Sequence, residues 1–162
     1  MSNESIYNGH KNGRFHISCG GIVYRQRPQT VEVLLLHRSP DPKHHWRDDS
    51  WHLPKGTRHD DEAVAEAAQR EITEETGYEI ELGPYLDCLH SFFPKGPDLI
   101  HKITHYYTAT PVKKISDTTS EHDGCSWVSL EKAYQLLAPL PELENEREIL
   151  EVFESHLSEI LR

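Results

Sequence analysis

Along the first third of the chain, hydrophobic and polar positions follow a strand-like pattern. Residues 15–25 read as a strand, and Gly20-Gly21 marks a bulge or a close backbone approach within it. Residues 31–37, Val-Glu-Val-Leu-Leu-Leu-His, form a short apolar run that reads as a buried strand. The short turn around Pro28 joins these two as a hairpin. Further on, residues 79–93 read as one or two strands broken at Gly83-Pro84, and residues 93–97 as a turn. Residues 101–110 alternate, with Ile103, His105 and Tyr107 on one face and Thr104, Tyr106 and Thr108 on the other. Residues 112–120 read as polar loop and 125–128 as a short strand. Ser129 is placed to cap a helix over 130–138. A last helix is expected from near Pro141 to the chain end. Its Ile149, Leu150, Phe153, Leu157, Ile160 and Leu161 recur at helical spacing and assign it to packing rather than chemistry.

Between these strands the period changes. Pro54 and Gly56 end an extended segment, and the alanine-rich stretch 63–68 favours helix. Asp60 or Asp61 is expected to cap that helix, with Glu62 in its first turn, and Gly77 to end it. At about 100° per residue, Val64, Ala67 and Ala68 share a face with Glu71, Glu74 and Glu75, while Glu62, Glu66, Gln69 and Thr73 fall opposite. A Glu-rich helix ordinarily turns its acids to water. Here the apolar stripe runs on into three carboxylates, which repel one another and lose hydration unless a cation compensates them. Magnesium suits such oxygen ligands, with substrate phosphates completing its shell. Arg70, beside them, is placed to orient one carboxylate.

These residues resemble the nudix box, G-x5-E-x7-R-E-U-x-E-E-x-G-U, where U is a bulky apolar residue. Gly56, Glu62, Arg70, Glu71, Ile72, Glu74, Glu75 and Gly77 fill its positions, and Tyr78, large but not aliphatic, stands at the last. The resemblance implies an α/β fold of nudix type, an α/β/α sandwich with a mixed sheet between helices. It also implies divalent-metal-dependent hydrolysis of a nucleoside diphosphate linked to another group, with Glu71, Glu74 and Glu75 holding the metal. Mg²⁺ is the expected ion, with Mn²⁺ as the alternative, and the Gly56 carbonyl an expected further ligand. The proton acceptor is a box carboxylate or Glu121, and Arg70 is grouped with these catalytic residues.

Outside the box, the chain is most similar to diadenosine tetraphosphate hydrolases. The strand 31–36 followed by His44-His45-Trp46, the lead-in Trp51-His52-Leu53-Pro54-Lys55-Gly56, and Ser120-Glu121-His122 followed by Trp127 and residues 130–133 carry this similarity. Phe93 is the nearest aromatic where such enzymes carry a tyrosine, and Pro94 is similar in position to a proline of ADP-ribose pyrophosphatases. The implied reaction converts diadenosine tetraphosphate to ATP and AMP. Lys55 and Arg38 would steady phosphate oxygens, and Phe93 and Tyr107 would sandwich an adenine. The basic loop 38–50 either lays His45 and Trp46 over the substrate or is an ordinary surface loop. Alternatives within the family are a MutT-like hydrolase of oxidised nucleoside triphosphates, an ADP-ribose pyrophosphatase and a diphosphoinositol phosphate hydrolase. A nucleotide-sensing module without catalysis differs in kind.

Composition narrows the partners. With 27 Asp+Glu against 17 Lys+Arg and a formal net charge of −10, the chain is poorly suited to sequence-independent nucleic-acid binding. Cys19, Cys88 and Cys125 are scattered and odd in number, which points to a reducing compartment, expected to be the cytoplasm. No apolar run approaches about 18 residues and the N-terminus shows no signal-peptide core, so no membrane span or membrane partner is expected. The expected organisation is a loose arm over 1–14 and a single domain over 15–162, acting as a monomer or homodimer on a small nucleotide.

Overall fold

The computed structural model describes residues 12–41, 49–117, 123–137 and 145–161. In chain order the elements are β1 (Asn12–Gln26), β2 (Val31–Arg38), β3 (Ser50–His52), β4 (Lys55–Thr57), α1 (Val64–Thr76), β5 (Tyr78–Lys95), β6 (Asp98–Lys114), β7 (Gly124–Ser129), α2 (Leu130–Leu136), α3 (Arg147–Ser155) and α4 (Leu157–Ile160). The strands run β3-β2-β1-β6-β5 across a seven-stranded sheet, with β4 paired to β1 and β7 to β2. β1 and β2 form the expected antiparallel hairpin, Tyr24 opposite Val33. β1 and β6 are parallel from Asn12–Asp98 to Val23–Ala109, which makes the sheet mixed.

Alternation along the strands builds two cores. Ile22 packs with Leu89, Tyr106, Ile149, Leu150 and Phe153, so α3 covers one face. Val23, one residue on, packs with Leu34, Ile72, Ile80 and Ala109, and Cys19 packs with Ala67 and Ala68, so α1 covers the other. The result is the α/β sandwich expected from the sequence. Among the described residues no helix is long and apolar enough to cross a membrane.

Four local expectations are corrected. First, α1 begins at Val64 after Ala63, which makes no side-chain cap, so neither Asp60 nor Asp61 caps it and Glu62 lies ahead of its first turn. Glu62 instead closes the preceding loop, accepting the His59 backbone N–H at 2.9 Å. Second, β5 is one strand through Gly83-Pro84. The ladder shifts register between Leu82 and Tyr85, and the Pro84 carbonyl accepts from the Thr108 hydroxyl at 3.2 Å. β5 lies at the sheet edge, where a bulge accommodates a residue with no N–H to donate. Third, β6 continues to Lys114 because Tyr78 and Glu79 pair with Lys114 and Lys113. Fourth, the last helix divides at His156, whose ring Nδ1 lies 2.9 Å from the Val152 carbonyl and competes with the backbone there. Pro141 lies outside the described residues. Gly77 ends α1 as expected, with φ 75° and its N–H on the Thr73 carbonyl.

Candidate active site

Arg70 organises the carboxylates of α1. Its five N–H donors make five hydrogen bonds. Two grip Glu62 at 2.8 Å each, one reaches the Thr57 carbonyl at 3.0 Å, and the other two reach Glu71 at 2.8 Å and Glu74 at 3.2 Å. This fork holds the loop before α1 against the helix, and it holds the Glu62 carboxyl down to about 2 through its hydrogen bonds. The sequence assigned Glu62 to the far side of the helix; its position one loop earlier brings it to Arg70 instead.

Glu71 is far more enclosed than Glu74, with its side chain 12% exposed against 58%. It lies directly over Gly56 in β4. A Cβ on Gly56 would come within 2.0 Å of the Glu71 Oε2, so only glycine lets the carboxylate rest on that main chain. Burial pushes the Glu71 carboxyl above its usual range, and Arg70 offsets this only in part because it is shared among three acids. Glu75 Oε2 accepts the Lys55 backbone N–H at 3.3 Å.

Glu71, Glu74, Glu75, Gly56, Lys55 and Arg38 line one groove of about 430 Å³. The sheet adds His16, His52 and Lys102, which the sequence reading did not select. The His16 imidazole is held below its usual range by burial, then by the Lys102 and Lys95 ammonium groups, and its Nε2 lies 3.1 Å from the Thr57 hydroxyl. Among the described residues, no three acidic, histidine or cysteine side chains converge into a closed metal cage. The donors present are carboxylates one helical turn apart beside an open groove. Magnesium takes one or two carboxylates and completes its shell with water and substrate phosphates, so this donor set fits it better than a metal needing a closed cage.

A buried acid behind the groove comes from the segment assigned to packing alone. Glu146 precedes α3 and is 4% exposed. Its Oε2 accepts the Leu53 N–H at 2.7 Å, and its Oε1 lies 3.5 Å from the Lys55 ammonium and 3.6 Å from His52 Nδ1. Burial pushes this carboxyl up, but Lys55, His52 and the Leu53 N–H outweigh it and leave it below the usual range. The sequence did carry a signal. Glu146 stands three, four and seven residues before the buried Ile149, Leu150 and Phe153, on the face that enters the core.

The adenine sandwich of Phe93 and Tyr107 does not form. Phe93 pairs with Ile100, seven residues before Tyr107 on the same strand, a separation of roughly 23 Å at strand rise. The odd interval also turns the two side chains to opposite faces of the sheet. Tyr107 packs edge-on against Tyr85 at 5.2 Å and joins the cluster under α1. Phe93, 39% exposed, shares its face with Lys102 of the groove. His45, Trp46 and Glu121 lie outside the described residues.

The same architecture recurs in known proteins. An 8-oxo-(d)GTP phosphatase of Mycolicibacterium smegmatis is 34% identical over 110 residues, which are 68% of this chain and 31% of that protein. The chain thus spans about a third of that relative's length. A C. elegans Ap4A hydrolase, solved as a binary complex, superposes with a TM-score of 0.64 at 25% identity, over 88% of this chain and 98% of its own. A MutT protein from Methanosarcina mazei Go1 gives 0.64 at 25% identity, over 90% and 97%. The NUDIX domain family matches residues 14–153, a span that includes the Arg70 fork, the glycine under Glu71 and the sheet behind them: the chain belongs to the NUDIX domain family.

Proposed function

We propose that the chain is a Mg²⁺-dependent pyrophosphohydrolase that cleaves a phosphoanhydride of a dinucleoside polyphosphate, diadenosine tetraphosphate giving ATP and AMP. The observation that carries this reading is the groove itself, where Lys55, Arg38 and Lys102 come from three different strands to surround the carboxylates of α1. Cations at that spacing suit an extended polyphosphate, and carboxylates among them suit a divalent ion between protein and phosphate. An Ap4A hydrolase is among the structural neighbours at 25% identity.

In this reading Glu71, Glu74 and Glu75, with the Gly56 carbonyl and Glu121, would hold Mg²⁺ or Mn²⁺. The bound ion supplies neutralisation of polyphosphate charge and activation of water for in-line attack on phosphorus. The chain's own residues do the rest. Arg70 keeps the Glu71 and Glu74 carboxylates aimed along the groove. Lys55, Arg38 and Lys102 meet the phosphate oxygens, and a carboxylate among Glu71, Glu74, Glu75 and Glu121 accepts the proton of the attacking water. Phe93 offers one apolar face to a base at the groove's far end, without Tyr107 as its partner.

A second reading, hydrolysis of an oxidised nucleoside triphosphate, is favoured by the name of the 34% identical relative. A product-resolved assay with Mg²⁺ separates the two, comparing diadenosine tetraphosphate with 8-oxo-dGTP at equal concentration. ATP plus AMP as the faster reaction is expected. Faster release of pyrophosphate from 8-oxo-dGTP would transfer the assignment to the second reading. Turnover of neither would remove both.

A further inference from the structure

We infer that Glu146 is a positioning residue for phosphate recognition, acting through Lys55. This rests on the proposed polyphosphate reaction, in which the Lys55 ammonium meets substrate. The case begins with an energetic oddity. A carboxylate fully withdrawn from water is costly unless its charge is matched, and an apolar residue of similar size often stabilises a fold as well or better. Glu146 is withdrawn in this way at the start of α3. Three polar contacts of its side chain with described residues fall on one four-residue segment, His52 to Lys55, which leads into β4.

Those contacts fix two things at once. The bond from the Leu53 N–H to Glu146 Oε2, 2.7 Å long, sets the path of the main chain just before Pro54. The 3.5 Å ion pair with the Lys55 ammonium sets the end of that side chain, which is 20% exposed and lines the groove. Lys55 is also held from the other side, since its backbone N–H reaches Glu75 Oε2 at 3.3 Å. The lysine therefore lies between a carboxylate from the lead-in to α3 and one from α1. A lysine side chain is long and rotamer-rich, and fixing its ammonium beforehand removes an entropic cost from binding. An ammonium has three donors, so one lysine head can meet both a carboxylate and a phosphate oxygen.

The alternative is that Glu146 only ties α3 to the sheet. A double-mutant cycle separates the two, because a tie between helix and sheet acts whether or not residue 55 carries an ammonium. The variants are Glu146→Gln, Lys55→Met and their combination. Glutamine retains an acceptor for Leu53 and leaves no buried charge, and the double variant is neutral at both positions, so both are expected to fold. For wild type against Glu146→Gln, KM for diadenosine tetraphosphate is expected to rise about tenfold, with kcat changed by less than about threefold. In the Lys55→Met background the same substitution is expected to change KM by less than about twofold. Glu146→Asp, which keeps the charge but withdraws it by one methylene, is expected to fall between wild type and Glu146→Gln.

An equal KM effect in both backgrounds, or an unchanged KM in Glu146→Gln with Lys55 present, would overturn the inference. The same cycle is read in parallel on the binding of inorganic tripolyphosphate by calorimetry. If wild type turned over no nucleotide, the proposed function would fail, and coupling or its absence in tripolyphosphate binding would still decide the role of Glu146.

Discussion

Two carboxylates from distant parts of the chain bear on the same groove, Glu71 by lining it and Glu146 through Lys55, and their surroundings push them in opposite directions. Glu71, on α1, is raised by burial, and its cation Arg70 is divided among Glu62, Glu71 and Glu74. Glu146, before α3, is buried more completely yet is lowered, because Lys55, His52 and the Leu53 N–H all face it. The difference separates two uses of a buried acid. Where the protein supplies its own compensating charge, the carboxylate orders the structure around it. Where compensation falls short, the site retains negative charge that favours a cation from outside.

The largest expected effect that sharpens this contrast is a thermal shift with Mg²⁺. Ion binding that favours the folded state at 100 times its dissociation constant stabilises by about 2.7 kcal/mol. Wild type is expected to show a rise in Tm of that origin. Glu71→Gln is expected to lose most of it and Glu146→Gln to keep it. Loss of the shift in Glu146→Gln and its retention in Glu71→Gln would invert the assignment. Differential scanning fluorimetry across a magnesium titration measures this.

A smaller effect is expected at Phe93. A single aromatic contact contributes about 0.5–1.5 kcal/mol beyond area, so Phe93→Ala is expected to raise KM for a dinucleotide a few-fold with little change in kcat. Tyr107→Phe is expected to leave both constants unchanged, since Tyr107 faces α1 rather than the groove. Equal KM effects at the two positions would contradict the geometry that separates them.

The smallest effect lies in acid stability. Arg70 holds the folded Glu62 carboxyl near 2, against an ordinary value of 4.5. Between those values the unfolded chain binds more protons, so stability rises with pH. The contribution is complete above about pH 4.5 and is lost as pH falls toward about 2. Glu62→Gln is therefore expected to flatten the dependence of Tm on pH in that window. An unchanged slope would mean that the fork to Glu62 contributes nothing in solution.

What the sequence revealed follows the range of the interactions involved. The α1 stripe, the stop at Gly77 and the cap at Ser129, whose hydroxyl accepts the Lys132 N–H at 3.1 Å, are local and were legible. The unity of β5 was not, because Gly83-Pro84 reads as a break until β6 is known to lie alongside and absorb a bulge. The adenine sandwich failed for a related reason: composition offered the aromatics, but only strand register shows that Phe93 and Tyr107 lie on opposite faces. Glu146 was hidden among the neighbouring glutamates at 142, 144 and 148. Its partner Leu53 is 93 residues away. The helical stripe through Ile149, Leu150 and Phe153 distinguished it: the stripe itself was legible, but which acid shares its face, the question that singled out the α1 carboxylates, is what marks Glu146.

The most direct test of the central claim compares wild type with Glu75→Gln in the Mg²⁺-dependent, product-resolved hydrolysis of diadenosine tetraphosphate. Wild type is expected to release ATP and AMP. Glu75→Gln is expected to lose turnover by a factor on the order of 10²–10⁴, with its Tm in metal-free buffer close to that of wild type. Wild-type turnover in the variant, under the same magnesium concentration, would contradict the placement of the chemistry on the carboxylates of α1.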